Sequence, residues 1–156
     1  MTGRFVPQGF EPPVGRETPD FILEPLGPQH NERDHAAWSS SIEHIRATPG
    51  FPLPEDPWPV AMTLAENLAD LQMHTDDFAA ARGFTYSVLD PRTRDVIGCV
   101  YLYPARDPMH DVFVRSWVRA SRAELDPTLR EVVSTWLGQE WPWTRIDYAE
   151  ARRPGS

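Results

Sequence analysis

Three strand-like segments follow one another between residues 84 and 118, and they constrain the fold more than any other feature of the sequence. Residues 84–89 (FTYSVL) alternate as a strand does, residues 96–103 form a second run, and residues 110–118 form a third. Turns at residues 90–95 and 104–108 separate them, and connections this short join antiparallel neighbours. In the third segment, alternation predicts one face with Val112, Val114, Ser116 and Val118 and another with Phe113, Arg115 and Trp117.

Helical patterns flank this region on both sides. Residues 21–26 predict a first strand, and residues 31–44 a weak helix. Over residues 63–82, Thr63 and Glu66 form a capping box at the start of a clearer helix. Its apolar side chains recur at helical spacing and predict one buried stripe: Leu64, Leu68, Leu71, Thr75 and Phe78.

A last helix and strand complete the pattern. Asp126 is predicted to cap a helix whose first turn contains Pro127. Its apolar stripe is Leu129, Val132, Val133, Trp136 and Leu137. Residues 144–148 predict a final short strand. Together these elements indicate an α+β fold with a twisted, mostly antiparallel sheet flanked by helices.

Proline marks the boundaries of the predicted domain. Four prolines lie in residues 1–20, which we predict to be a loose N-terminal arm. Residues 21–150 form one domain, and residues 151–156 a frayed tail. Residues 49–59 hold five prolines; we interpret them as a stiff connector pinned by Phe51 and Trp58, although a proline-motif ligand for a partner has the same composition.

The net charge of −8 excludes some classes of partner. An acidic surface repels nucleic acid and anionic membranes, so we expect neither as a partner. No apolar run is long enough to span a membrane. Cys99 is the only cysteine, so no internal disulfide can form, and a cytoplasmic location is expected.

Several residues could carry chemistry, and each also has a structural explanation. His110 and Asp111 could act as an acid–base pair, or simply lie in solvent at a strand end. Tyr101 and Tyr103 share a face of the second strand and could line a pocket or only pack. Arg115 lies between two aromatic residues of its face; if buried it needs a carboxylate partner or a ligand anion, but it could also be exposed at an edge.

Two further candidates are weaker. His74 and Asp77 are three residues apart on one helical face, which suits a metal pair, but nothing nearby completes a site and the polar face of a helix explains them better. We therefore predict no metal site. Cys99 is predicted to be a small core residue because no base accompanies it.

The order of elements and the amino-acid sequence of the hairpin resemble those of the GNAT superfamily of acyl-CoA N-acyltransferases. Residues 84–89 and 95–102, with Gly98 after a β-branched pair, look like the second and third strands of that family. Trp117 and Val118 then look like the end of its fourth strand. The resemblance extends over roughly residues 21–148.

The resemblance implies acetyl-CoA-dependent acetylation of a small-molecule or peptide amine. The fourth strand of the family pairs through its backbone with the pantetheine arm of the cofactor. The residues implied for cofactor binding are Trp117, Val118, Arg119 and Arg122. Those implied for catalysis are His110, Asp111 and Tyr103.

The sequence departs from the family at two places. Residues 119–128 contain no glycine where the family has a glycine-rich loop whose amides bind the CoA pyrophosphate, and they contain Glu124 and Asp126. After residues 144–148 the family has a further helix and two strands, which we predict to be lacking. We therefore expect impaired binding of acetyl-CoA, or alternatively a non-catalytic binding or oligomerisation module. A sheet edge at residues 144–148, beside Trp141 and Trp143, predicts a homodimer. The alternative is that residues 1–20 fold back over this edge and keep the protein monomeric.

Overall fold

The structure is a computed structural model that describes residues 4–150. The predicted frayed tail, residues 151–156, lies outside the described residues. Within residues 4–150 the elements are β1 (Arg16–Glu17), β2 (Ile22–Pro25), α1 (Asn31–Ser39), α2 (Ile42–Arg46), α3 (Leu64–Ala79), β3 (Phe84–Leu89), β4 (Val96–Pro104), β5 (Val112–Val118), α4 (Asp126–Glu140) and β6 (Ile146–Tyr148). Among these described residues, no helix combines the length and apolar character that crossing a membrane requires.

The strands form one mixed sheet in the order β1-β2-β3-β4-β5-β6. β1 to β5 pair antiparallel, which confirms the predicted antiparallel region and the α+β class. β6 pairs parallel to β5 because α4 returns the chain from the end of β5 to its beginning. The sequence did not predict β1, whose two residues are too short to show alternation.

One face of the sheet packs on α4. Val112, Val114 and Val118 of β5 are buried there, as the alternation predicted. They lie in one core cluster with Leu129, Val133, Trp136 and Leu137 of α4. The predicted cap is wrong: Asp126 begins α4 without capping it, and its carboxylate lies 2.8 Å from His44 Nε2 instead.

The other face packs on α1, α2, α3 and the proline-rich connector. Its core cluster contains Cys99, Tyr101 and Trp117 from the sheet, with Trp38, Ile45, Phe51 and Leu71 from the covering elements. Phe51 is buried and Trp58 packs partly against the cluster, so both anchors of the connector are confirmed. Cys99 is a fully buried core residue, as expected.

The predicted stripe of α3 is partly wrong. The capping box is present, with Thr63 Oγ1 accepting from Glu66 N–H at 3.1 Å and Glu66 Oε1 accepting from Thr63 N–H at 2.8 Å. However, Leu68 is 43% exposed and Leu64 46% exposed, whereas Asn67 is buried. Asn67 accepts a hydrogen bond from the indole N–H of Trp38 at 3.0 Å. Because that buried N–H needs an acceptor, the helix turns its Asn67 side inward.

The predicted helix over residues 31–44 is divided into α1 and α2. Serine hydroxyls bind the backbone at the junction: Ser40 Oγ donates to Ala37 O at 3.0 Å, and Ser41 Oγ accepts from Ala120 N–H at 2.8 Å. Such bonds compete with continued helical pairing, which explains the break.

Residues 4–20 are packed on the domain, so the prediction of a loose arm is wrong for this part of it. Val6 is buried, and the ring of Phe5 stacks on that of Trp143 with centroids 4.7 Å apart. Trp143 Nε1 donates to Phe5 O at 2.9 Å, and Tyr86 Oη donates to Pro13 O at 2.6 Å. The segment covers an aromatic surface that would otherwise be exposed.

The tryptophans that were predicted to form an interface are in the core. Trp141 and Trp143 are each 7% exposed, and their rings stack with centroids 4.9 Å apart. They therefore offer little surface to a partner. Self-association through β6 stays a prediction.

Candidate functional site

β5 and β6 separate at one end, and the gap between them is one candidate site. Their pairing ends at Val114 and Tyr148, and the Ala149 N–H donates to Val114 O at 2.8 Å. Because backbone groups of a strand alternate in direction, those of Ser116 and Val118 face the gap. A cavity of about 320 Å³ lies there, beside the first turn of α4.

Side chains of the protein occupy much of this gap. Arg130 donates from Nη2 to Tyr148 O at 3.2 Å and from Nη1 to Ala149 O. Its guanidinium carbon also lies 4.1 Å from the centroid of the Tyr148 ring. The hydroxyl groups of Ser116 and Tyr148 are 2.6 Å apart. One hydrogen bond, between Ser116 and Tyr148, therefore crosses the gap, while Arg130 is held against β6 and the residues that follow it.

A carboxylate lies at the inner end of the gap. Burial raises the pKa of Asp126, while His44 and the backbone N–H of Val118 favour its charged form. Val118 itself is buried on the α4 side of the sheet, and Trp117 is buried on the other, where its Nε1 donates to Tyr101 Oη at 3.1 Å.

The two arginines predicted to bind a cofactor are engaged within the protein. Arg119 Nη1 donates to Val96 O at 3.3 Å. Arg122 Nη2 lies 2.7 Å from Asp90 Oδ2 and lowers the pKa of that carboxyl to about 2. The Ala120 amide in the same loop donates to Ser41. The Arg119 and Arg122 side chains and the Ala120 amide are therefore already engaged, and a pyrophosphate would have to compete for them.

The predicted catalytic pair lies at the opposite end of β5. His110 Nδ1 is 2.9 Å from Asp107 Oδ1, and Asp111 Oδ1 is 2.8 Å from Arg145 Nη2. Arg145 lowers the pKa of Asp111 to about 2. Seven extended residues of β5 separate this pair from Val118 by about 20 Å. The structure therefore does not bring the predicted catalytic pair and the predicted cofactor residues together.

One cluster of metal-ligand types is present among residues 4–150. Ligand atoms of Asp107, His110 and Asp147 lie within 4.8 Å of one another, and all three side chains are partly exposed. The Asp107–His110 ion pair accounts for the proximity of two of them. The expectation of no metal site stays a prediction.

Tyr103, the third predicted catalytic residue, belongs to a different polar network. Tyr103 Oη donates to Asp77 Oδ2 at 2.8 Å, and His74 Nδ1 lies 2.8 Å from the same hydroxyl. Since a carboxylate only accepts, Tyr103 donates to Asp77 and His74 donates from Nδ1 to the Tyr103 oxygen. Burial and the bond to Asp77 raise the pKa of Tyr103, so its hydroxyl stays protonated.

Beside this network lies a pocket under the proline-rich connector, which we call the Arg115 pocket. It has two lobes, of about 530 Å³ and 200 Å³. The residues shared by both lobes are Asp56, Met73, His74, Tyr101 and Arg115. Leu53, Tyr103 and Phe113 line the larger lobe, and Trp58 the smaller one.

The guanidinium of Arg115 lies against two aromatic rings that meet at an angle. Its central carbon lies 4.6 Å from the Phe51 ring centroid and 4.9 Å from that of Tyr101. Nη1 donates to Gly50 O at 3.2 Å. The sequence singled out Arg115, His74 and Tyr103 separately. It could not show that they meet in one pocket, because the connector and α3 reach it from distant parts of the chain.

Comparison with known proteins gives the fold. No protein-family profile and no curated protein sequence matches the chain. Among solved structures, ribosomal-protein-S5-alanine acetyltransferase from Vibrio fischeri matches with a TM-score of 0.68 and 14% identity, over 92% of this chain and 77% of that one. The structural matches establish likeness to the GNAT acetyltransferase fold over most of the chain, at low sequence identity.

Two further matches are acetyltransferases. One, from Salmonella typhimurium, modifies the N-terminal serine of ribosomal protein L7/L12 (TM-score 0.55, 11% identity, 81% of this chain and 67% of that one). The other is the microcin C7 self immunity acetyltransferase MccE, solved in complex with acetyl-CoA and AMP (TM-score 0.61, 10% identity, 82% and 67%). Identities this low establish the fold and not the activity. That the sheet lacks further C-terminal strands stays a prediction.

Proposed function

We propose that this chain is a GNAT-fold binding protein in which the gap between β5 and β6 does not take acetyl-CoA. The observation that supports this function is the position of Arg130, which lines the cavity of the gap and donates to the carbonyl oxygens of Tyr148 and Ala149. A pantetheine arm that paired with β5 would have to displace this arginine from two hydrogen bonds and from the Tyr148 ring.

Electrostatics opposes the cofactor as well. The Asp126 carboxylate lines the same cavity as Ser116 of β5, along which the arm would lie. Phosphate groups beyond it would meet Glu124 and Asp126, and like charges in proximity are unfavourable. The first turn of α4 also contains Pro127, which has no N–H to donate.

Acetyl-CoA-dependent acetylation of an amine is the second candidate function. The structural match to MccE in its acetyl-CoA complex favours it. The net charge of −8 suits a cationic acceptor. In that case the gap would have to open to admit the cofactor.

Calorimetric titration with acetyl-CoA and CoA tests the proposal. We expect no saturable binding to the wild-type protein and measurable binding to the double variant Asp126→Asn/Arg130→Ala, in which the groups that close the gap are removed. Arg92→Gln is the matched control, because it removes an exposed arginine that does not line the cavity of the gap. A melting curve of each variant checks that it is folded.

Tight binding to the wild-type protein would contradict the proposal. Ligand at a hundred times its Kd stabilises the native state by about 2.7 kcal/mol, which a thermal melt detects easily. Acetyl transfer to an amine in a coupled thiol-release assay would then establish the second candidate.

A further inference from the structure

We propose that the Arg115 pocket binds a small monocarboxylate with an aromatic or otherwise apolar body. This site is separate from the gap between β5 and β6, so the inference holds whether or not the gap accepts acetyl-CoA. It depends on the charge balance, the rigidity and the walls of the pocket.

Arg115 is the one cationic side chain of the pocket without an ion-pair partner among residues 4–150. Glu55 is paired with Arg106 through two contacts, at 2.5 and 2.6 Å. Asp77 lies 2.9 Å from Arg82 and accepts the Tyr103 hydroxyl. No carboxylate of the described residues lies within ion-pair distance of Arg115. A partly buried guanidinium in this position calls for an anion.

The acidic side chains around the pocket limit how much negative charge a ligand can bring. Asp56 accepts a hydrogen bond from the Trp58 amide at 3.1 Å, and Asp70 Oδ2 lies 3.6 Å from His74 Nε2. These carboxylates would repel a phosphate or a dicarboxylate more strongly than a single carboxylate. The pocket therefore favours a ligand that carries a single negative charge, placed at Arg115.

Arg115 is already held in a geometry suited to a carboxylate. The rings of Phe51 and Tyr101 confine the guanidinium, and the bond to Gly50 O uses only one of its five N–H donors. A planar guanidinium binds both oxygens of a carboxylate through parallel hydrogen bonds. Little side-chain entropy remains to be lost on binding, because the rings have ordered the group beforehand.

The walls of the pocket favour an apolar body. Leu53, Met73, Tyr101 and Phe113 line the larger lobe, and its volume of about 530 Å³ lies within the range of small-molecule sites. His74 and Tyr103 supply polar groups at the edge of this surface. Such a pocket matches a ring that carries a short acid side chain.

Phenylacetate and its neutral isostere phenylacetamide are the probes that test this inference. We would titrate each into the ¹⁵N-labelled wild-type protein and follow the Nε–Hε resonance of Arg115, which the Arg115→Gln variant identifies by its loss. We expect phenylacetate to shift this resonance saturably and to bind at least about tenfold more tightly than the amide, because a hydrogen bond to a charged group is the stronger kind. Phenyl phosphate should bind more weakly than phenylacetate.

Variants separate the guanidinium from its charge. In calorimetric titrations, Arg115→Gln should lower the affinity for phenylacetate by about tenfold or more. Arg115→Lys should fall between the two, since it keeps the charge and loses the planar fork. Arg92→Gln should bind as the wild-type protein does. Equal affinities for acid and amide, or no saturable shift at millimolar phenylacetate, would overturn the inference. The comparison of phenylacetate with phenylacetamide needs only the wild-type protein, so it still tests the inference if Arg115→Gln does not fold.

Discussion

Two leucines three residues apart on α3 offer a sharp test of how this helix packs. Leu71 is 2% exposed in the core cluster with Trp38, Ile45 and Trp117, whereas Leu68 is 43% exposed. Truncating a buried leucine to alanine costs about 2–5 kcal/mol, because transfer free energy is lost and a cavity is left. Truncating one near the surface changes stability by about 0.5 kcal/mol or little more. Both changes replace leucine by alanine mid-helix, so the difference in helix propensity nearly cancels.

Urea unfolding followed by tryptophan fluorescence measures this difference. Leu71→Ala should lower the transition midpoint clearly with an unchanged m value, and Leu68→Ala should leave both almost as in the wild-type protein. Met73→Ala, at a position that is 44% exposed on the same helix, is the control. If Leu68→Ala proved the more costly change, α3 would bury the leucine stripe that its sequence predicts, and the orientation described above would be refuted.

Four other outcomes are expected. Burial raises the pKa of Asp34 from 3.8 to about 6. Its contribution to the free energy of unfolding is therefore present below pH 3.8 and is lost, by about 3 kcal/mol, as the pH rises through 6. Asp34→Asn should remove this loss of stability from the pH dependence of the urea midpoint, and an unchanged loss would contradict the assignment. Gly50→Ala should cost at least about 1 kcal/mol of stability, because φ is +92° and the new Cβ would lie 2.9 Å from that of Ala149. Gly138→Ala should instead stabilise the protein, because Gly138 is a helical position with open space around it. Equal effects of the two changes in thermal melts would count against the packing of Gly50 on Ala149. Burial raises the pKa of the Cys99 thiol, so a thiol reagent should label it only on unfolding, and rapid labelling of the native protein would disprove that burial. Sedimentation velocity tests the predicted self-association through β6, and a species of 17.8 kDa at micromolar concentration would reject it.

Much of the sheet could be predicted because strand patterns are local. The alternation of Val112, Val114 and Val118 with Trp117 assigned each residue to the correct face, since successive side chains of a strand point in opposite directions whatever lies beyond. The capping box at Thr63 was likewise predictable, because both of its hydrogen bonds lie within four residues.

The candidate site could be predicted only in part. Arg115 was predicted to need an anion only if it were buried, with exposure at an edge as the simpler alternative, because its neighbour Phe51 comes from the connector and lies 64 residues earlier in the chain. Arg130 was not singled out, because a polar residue on a helix gives no signal that it will line a gap between two strands. His110 and Asp111 were chosen for their chemistry, and the structure places them in surface ion pairs.

By itself, the sequence determined which residues share a face and where the elements begin, because those properties depend on periodicity and on hydrogen bonds between near neighbours. Tertiary structure alone decided which face was buried. α3 turns Asn67 inward because the indole N–H of Trp38, from another helix, has no other acceptor there. The N-terminal segment packs because Trp143 presents it with an aromatic surface and a donor. In both cases the contacting residue is distant in the sequence. Whether a polar or apolar group is buried depends on the residues that pack against it, and a local sequence pattern does not show them.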